Sequence, residues 1–261
     1  MNNAIQKMFE PLAGRYELIN HVITFGLDTV WRKKAAGIAS GAAGAAEGAK
    51  PGASAGPSAR SVSPVWLDVS TGTGEMAELL SRRADPGTTV LAADFSLPML
   101  REAARKFDAR MKAAPGRAPG TGTILLVAAD DGQLPLHNAS LNLVTISLGT
   151  RNLNTSRSAL VSCFREFHRV LRPGGRFVNL ETSQPASRAV RALFHGYVRR
   201  LLRPVASILS GNSSAYSYLA NTMCSFYEVE ELAAMIREAG FARVEVTGLF
   251  LGVAAIHVAE K

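Results

Sequence analysis

The chain has 261 residues, a formal charge of +8 and 47% apolar residues, which is length and core enough for one α/β domain. Two cysteines, Cys163 and Cys224, exclude a disulfide framework, and no Cys/His group has zinc spacing. Met1–Lys7 lacks a signal-peptide apolar segment, no run approaches the roughly 20 apolar residues of a membrane span, and the positive charge points to an anionic surface, either nucleic acid or lipid.

Residues 1–40 read as a helical cap, with Phe9, Leu12, Tyr16, Ile19 and Ile23 near helical spacing. Residues 41–63 are rich in Gly, Ala, Ser and Pro and predict a flexible loop without chemistry. From 64 onward strands and helices alternate. Strands are predicted at 64–69, 88–93, 123–128, 141–147, 175–181, 242–248 and 251–258, and helices at 75–84, 96–111, 156–171 and 228–239. A second Ala/Pro/Gly stretch covers 113–120. Arg172-Pro173-Gly174-Gly175 stops a helix and turns the chain into the next strand. The sum is a single domain over 1–261: an α/β, doubly wound, seven-stranded, mostly parallel sheet with a helical insertion, 186–225, before the last two strands. Within the insertion, 186–210 is amphipathic. Val190, Leu193, Phe194, Tyr197, Val198, Leu201 and Leu202 form its apolar face, and Arg188, Arg191, Arg199, Arg200 and Arg203 carry charge. Such a helix either packs as a lid or lies on an anionic membrane.

The segment Leu67-Asp68-Val69-Ser70-Thr71-Gly72-Thr73-Gly74-Glu75 carries the chemistry. An apolar strand enters a turn of small residues and a helix follows. A second apolar run, Val90–Ala93, then ends in Asp94, about twenty residues beyond Gly74. This layout seats an adenosine-bearing cofactor at the C-terminal edge of the strands. Gly72 and Gly74 let backbone approach the ligand, and Asp94 is placed for ribose hydroxyls. The full dinucleotide spacing of glycines is missing, and no Lys follows as in a phosphate loop. A phosphate-free nucleoside fits better, S-adenosylmethionine being the common one. The alternative is an ordinary strand-to-helix turn with no ligand.

Several separated segments resemble the C-methyltransferases of ubiquinone and menaquinone biosynthesis, within the class I S-adenosylmethionine-dependent methyltransferases. They are Met8-Phe9, Arg15–His21, Phe25–Asp28 and Trp31-Arg32; then Leu67–Glu75, Ala93-Asp94 and Asp130–Pro135; then Ile146-Ser147-Leu148-Gly149-Thr150-Arg151-Asn152-Leu153. Arg169–Gly175, Leu180–Ser183, Tyr216–Leu219 and Gly252–His257 complete the set. The segments around Tyr16–Asn20 and Arg151-Asn152 narrow the family. Departures are Ser70 in place of a first glycine, Thr182 and Gln184 in place of an aromatic and a basic residue, and Phe226-Tyr227-Glu228 in place of a Phe-Pro stretch.

The resemblance implies a Rossmann-like fold and S-adenosyl-L-methionine held by Ser70, Gly72, Thr73, Gly74, Asp94, Asp130, Asp131 and Ser147. It implies a polyprenylated quinol as acceptor, with demethylmenaquinol ahead of the ubiquinone-pathway benzoquinol. Arg151 is the expected cation beside the quinol oxygen. Asn152 would orient that oxygen or a water, and Tyr16 would close over the acceptor. His21, His257 or an Arg151-bound water is the candidate base. The insoluble tail implies a cytoplasmic enzyme peripheral to the inner face of the cell membrane, on an anionic surface, with a homodimer left open. Basic residues are dispersed and no flipped-base motif appears, which argues against nucleic acid. Two competing readings are a methyltransferase for another small molecule and a non-catalytic accessory subunit that binds the cofactor.

Overall fold

A computed structural model describes residues 13–47, 63–113 and 122–261. Phe9, Leu12, most of the expected loop and nearly all of the 113–120 stretch lie outside these residues. In chain order the elements are α1 Ala13–Ile23, α2 Leu27–Glu47, β1 Val65–Val69, α3 Glu75–Ser81, β2 Thr89–Asp94, α4 Leu97–Ala113, β3 Thr123–Ala128, β4 Leu141–Ser147, α5 Thr150–Leu153, α6 Arg157–Val170, β5 Leu171–Thr182, α7 Arg188–Tyr197, α8 Arg203–Ser210, α9 Ser213–Ser225, α10 Val229–Glu238, β6 Arg243–Leu249 and β7 Ala254–Glu260.

The seven strands form one sheet in the order β3-β2-β1-β4-β5-β7-β6. All neighbours are parallel except β7, which runs antiparallel to both β5 and β6. The order reverses between β1 and β4, which opens a crevice beyond their C-terminal ends. The central strands are continuous apolar runs because helices cover both faces. On one face Phe164 and Phe167 of α6 pack with Phe177 of β5, joined by Leu232 and Ile236 of α10. On the other, Trp31, Ala35, Ala36 and Ala39 of α2 pack with Trp66, Leu143, Val178 and Ile256.

The predicted cap is therefore two different things. Helix α2 belongs to the sheet, and it runs on to Glu47 through small residues that predicted a loop. Only α1 caps. Its Ile19 and Ile23 join Phe194, Val198, Leu202, Ala206, Tyr216 and Leu219 in a third cluster. The insertion also divides more finely than its single apolar face predicts. Phe194, Val198, Leu202 and Ala206 turn inward, while Leu193, Leu201 and Ile208 face out. A spacing of four drifts around an ideal α-helix. The π turn Val198–Leu202 between α7 and α8 offsets that drift and keeps the row on one side.

Two boundaries moved for local reasons. β5 begins at Leu171, paired with Leu141, and an irregularity absorbs the Pro-Gly-Gly turn before Arg176 meets Leu143. β7 begins at Ala254 because Phe250–Gly252 form a tight turn in which Phe250 and Leu251 have positive φ.

Candidate functional site

The β1–α3 turn is held by hydrogen bonds to its own strands. Thr71 Oγ1 donates to Asp68 Oδ2 at 2.6 Å, and Thr145 Oγ1 of β4 donates to Asp68 Oδ1 at 2.7 Å. Burial pushes the Asp68 carboxyl up to about 6, against those donors. Gly72 takes φ +57 and its N–H donates to Asp94 Oδ2 at 2.8 Å, while Ser96 N–H donates to Asp94 Oδ1 at 2.8 Å. Asp94 is thus fixed at the end of β2 with lone pairs to spare, its carboxyl raised by burial. The open space beside Gly72 suits close ligand approach, but Gly74 has another reason. A Cβ there would clash with Phe107 Cζ of α4, so this glycine permits helix packing and a left-handed N-cap.

These groups wall a polar cavity of about 80 Å³ together with Tyr16 of α1, Arg32 of α2, Thr73, Glu75, Ser147 and Asn152. Three carboxylates, Asp68, Glu75 and Asp94, face it alongside one cation, Arg32, which is already paired with Asp28 and Glu75. Ser96 Oγ, Ser147 Oγ and Asn152 Oδ1 are buried on this wall without a hydrogen-bond partner. Buried polar atoms left in that state mark a place for a ligand's own donors and acceptors. The charge balance favours a cationic nucleoside over a phosphate-bearing one.

A second cavity, of about 440 Å³, lies under the cap. Ile23, Trp31, Phe194, Tyr197, Leu219 and Met223 make it apolar, and Asn20, Thr24, Arg151 and Thr182 supply its polar points. Leu148, in a left-handed conformation at φ +57 just after β4, lines both spaces. The short helix α5 follows at once. It was not predicted as a helix, and it turns Arg151 to the apolar cavity and Asn152 to the polar one.

Arg151 is 7% exposed and Glu181, at the end of β5, is 1% exposed. Arg151 donates from Nη1 to Glu181 Oε1 at 2.6 Å, and from its backbone N–H to Oε2 at 3.2 Å. Thr182 donates to Glu181 Oε1 from both its N–H and its hydroxyl. Arg151 Nε is buried with no partner, and Tyr16 and Tyr218 both lie within electrostatic reach of the guanidinium. Sequence reading gave no role to Glu181, Asp68, Arg32 or Tyr218. An acid one residue from the end of a strand parallel to β4 was the available signal for Glu181.

Of the predicted site residues, the fold brings Tyr16, Ser70, Gly72, Thr73, Asp94, Ser147 and Asn152 around the polar cavity and Arg151 to its partner space. Gly74 lies in the turn behind them. Asp130 and Asp131 line neither cavity. Asp130 is exposed and accepts from Gly132 N–H, whereas Asp131 is buried and accepts a hydrogen bond from Ser70 Oγ. The two candidate histidines also stand outside both walls. His21 bonds Asp28 at 2.8 Å. His257 lies in the sheet between Asn179 and the Val229 carbonyl, its pKa lowered by burial.

The whole chain, residues 1–261, matches the model of the ubiE/COQ5 methyltransferase family. A demethylmenaquinone methyltransferase of Thermus thermophilus is 36% identical over 254 residues, covering 97% of this chain and 100% of the relative. One of Deinococcus radiodurans is 35% identical over 258 residues, covering 99% and 92%. A ubiquinone/menaquinone biosynthesis C-methyltransferase of Desulfotalea psychrophila is 32% identical over 253 residues, covering 97% and 88%. Among solved structures, a SAM-dependent methyltransferase of Thermotoga maritima covers 98% of this chain and 99% of its own, at a TM-score of 0.54 and 15% identity. One of Aquifex aeolicus covers 76% and 83%, at 0.51 and 15%. At these identities the structures speak to the fold alone.

Proposed function

This chain belongs to the ubiE/COQ5 methyltransferase family, and on that premise we propose that it carries the methyl group of S-adenosylmethionine to a ring carbon of a polyprenylated quinol, with demethylmenaquinol the acceptor of best fit. One observation carries the reading. A single short helix, α5, presents Arg151 to a large apolar cavity and Asn152 to a small acidic one, across the shared Leu148.

S-adenosylmethionine, when bound, supplies a methyl group already activated on a sulfonium. The residues of the polar cavity suit it. Asp94 holds the ribose hydroxyls, and Gly72, Thr73 and Ser147 flank the methionine part, with Ser70 setting the turn. The unpartnered Ser96, Ser147 and Asn152 oxygens gain partners. The remaining work belongs to the acceptor side. A quinol carbon becomes nucleophilic only when the neighbouring hydroxyl loses its proton. Arg151 stabilises the oxygen left behind, in a space that Ile23, Trp31, Leu148 and Phe194 keep from bulk water. Its free Nε–H is the donor for that oxygen or for a bridging water. Glu181 accepts four hydrogen bonds from Arg151 and Thr182, so it anchors the guanidinium and is not the base. With both histidines outside the walls, the hydroxyl proton leaves through water held at Arg151 and Asn152. After the methyl passes from sulfur to the ring carbon, that carbon gives up its own hydrogen as a proton and the oxygen regains one, so the ring is aromatic again and one proton is released overall. Tyr16, on the polar wall and within electrostatic reach of Arg151, would close over the acceptor where the two cavities meet.

The prenyl tail sets the entry. Phe25, Leu193 and Leu251 line the apolar cavity yet are 75%, 74% and 76% exposed. Exposed Arg188, Arg199, Arg200 and Arg203 lie along the α7–α8 segment beside them. We read this rim as a peripheral docking face for an anionic bilayer, at the inner side of the cell membrane. No helix among the described residues is long and apolar enough to cross a membrane.

The test is incubation with reduced demethylmenaquinol and S-adenosylmethionine, followed by mass spectrometry of the quinone extract. A product one methyl heavier, matched by S-adenosylhomocysteine, is expected. Unchanged demethylmenaquinol alongside a methylated benzoquinol or other small molecule would move the enzyme to that acceptor. Flotation with anionic liposomes at low salt tests the rim, and a protein that stays with the soluble fraction would remove the docking face.

A further inference from the structure

Ser70 is a non-glycine residue in a left-handed conformation, φ +50, at the first position of the cofactor turn. L-residues disfavour this region, and glycine is the usual occupant. Something must hold it, and Asp131 is positioned to do so. Its carboxylate, from the loop between β3 and β4, accepts the Ser70 hydroxyl, and the Ser70 backbone N–H interacts with it as well. Asp131 is fully buried, and its Oδ1 has no other partner. On its other side Ser70 closes on α5. A Cβ at Gly149 would lie 2.9 Å from Ser70 Cβ, so the serine is wedged between Asp131 and the residue preceding α5.

We propose that Asp131 is a positioning residue for cofactor binding, one that holds Ser70 in the conformation a glycine would adopt freely and so fixes the turn against the start of α5. Asp131 acts through Ser70 and touches no ligand. The proposal rests on the reading of the polar cavity as a nucleoside site. Ser70 and Asp131 form a matched pair, so the buried acid makes sense only while Ser70 is not glycine.

The carboxyl also carries a pH signature. Burial, together with the charges of Asp94 at the end of β2 and Asp130 next to it, pushes Asp131 up to about 8. Among the described residues, the remaining titratable group facing it is Cys163 of α6, itself raised to about 11 mainly by burial and so neutral. Asp131 is then protonated at neutral pH. It ionises as pH rises through about 8; the Ser70 hydroxyl and N–H favour the charged form and hold it at least as tightly, so the cost of ionisation is that of a buried charge beside Asp94 and Asp130.

The experiment is a double-mutant cycle read by calorimetry with S-adenosylhomocysteine as probe. Asp131→Ala is expected to weaken binding ~10-fold in the wild-type background and by less than ~3-fold in the Ser70→Gly background. Ser70→Ala, which keeps the Cβ and loses the hydroxyl, is expected to bind more weakly than Ser70→Gly. Asp131→Asn keeps a neutral acceptor for Ser70, so it is expected to bind the probe nearly as well as wild type at neutral pH. Equal losses from Asp131→Ala in both backgrounds, or Ser70→Ala binding as well as Ser70→Gly, would overturn the proposal while the nucleoside reading stands. A wild-type protein that fails to bind the probe would overturn both.

Discussion

The polar cavity and the apolar cavity share Leu148 and little else. The polar one is made from strand ends and tight turns, and its carboxylates are fixed by hydrogen bonds or ion pairs to neighbouring groups. Asp94 is tied by two N–H groups, and Asp68 by two hydroxyls. The apolar one is made from side chains on α1, α2, α7, α9 and the Phe250–Gly252 turn, segments far apart in sequence that meet only through packing. The first kind of wall sets positions to a fraction of an ångström. The second excludes water and accepts a flexible chain, tasks that need volume and greasiness more than register. Methyl transfer to a lipid-tailed ring asks for both at once. α5 is where they join, and each prediction below strikes one side of that seam or the seam itself.

The seam gives the largest effect. Arg151→Ala is expected to lower kcat by ~10²–10³-fold, the scale on which a charge-stabilising donor acts. Affinity for S-adenosylhomocysteine should change little, because Arg151 lines only the apolar space. Arg151→Lys should recover only part of the loss, since an ammonium cannot both bond Glu181 and present a planar Nε–H. Steady-state kinetics with a short-tailed quinol, paired with calorimetry, separates the two quantities. Turnover close to wild type would take Arg151 out of the chemistry. A matching loss of nucleoside affinity would mean the two cavities are one.

Asp94→Ala strikes the polar side alone. It removes the acceptor for ribose and strands the Gly72 and Ser96 N–H groups, so affinity for S-adenosylmethionine should fall by ~10–100-fold, the range of one or two charge-assisted bonds. Saturating cofactor should then return most of kcat. An affinity equal to wild type would remove the nucleoside from this cavity.

The same contrast explains what the sequence disclosed. The polar side was legible because its walls rest on local pattern: a strand, small residues in a turn, and an acid at a fixed distance. That pattern picked out Ser70, Gly72, Thr73 and Asp94, which line one cavity, and the strand and helix alternation located all seven strands, with no end off by more than four residues. The apolar side was not legible as a cavity. Periodicity finds the inward row of α7 and α8, but Leu193 and Phe194 are neighbours with opposite fates, and a π turn with no sequence signature decides which row faces in. Two further features depended on pairings between distant residues. Glu181 meets Arg151 only because β4 and β5 lie side by side. Asp131 meets Ser70 across 61 residues of sequence, and a reading confined to one segment assigns it to the ligand.

Glu181→Gln probes the anchor of the seam at smaller scale. Alanine would leave Arg151 as an uncompensated buried charge, at a cost of about 3–5 kcal/mol in stability. Glutamine keeps one acceptor and the shape. Its kcat is expected to fall ~10-fold, with KM for the quinol nearly constant, because an interaction made chiefly in the transition state has weakened. Glu181→Asp should not rescue it, since the shorter arm withdraws from α5. A raised KM with unchanged kcat would make Glu181 part of ground-state binding instead.

The smallest effect is expected at the rim. Leu193→Ser and Leu251→Ser remove two exposed apolar side chains that line the mouth of the large cavity and that no packing in the fold explains. Leu251 sits at φ +57 in the Phe250–Gly252 turn, so the backbone there bears strain while the side chain points to solvent. Burying a leucine contributes about 1.5–3 kcal/mol, of which a bilayer rim recovers a fraction. Partitioning onto anionic liposomes is therefore expected to fall ~3–10-fold for the pair. KM should rise for a long-tailed quinol presented in vesicles and stay unchanged for a short-tailed one in solution. Both residues lie outside the polar cavity, so nucleoside affinity is the internal control. An equal rise in KM for both acceptors would place the two leucines in the wall that grips the head group, and the entry for the tail would have to be sought on another side of the cap.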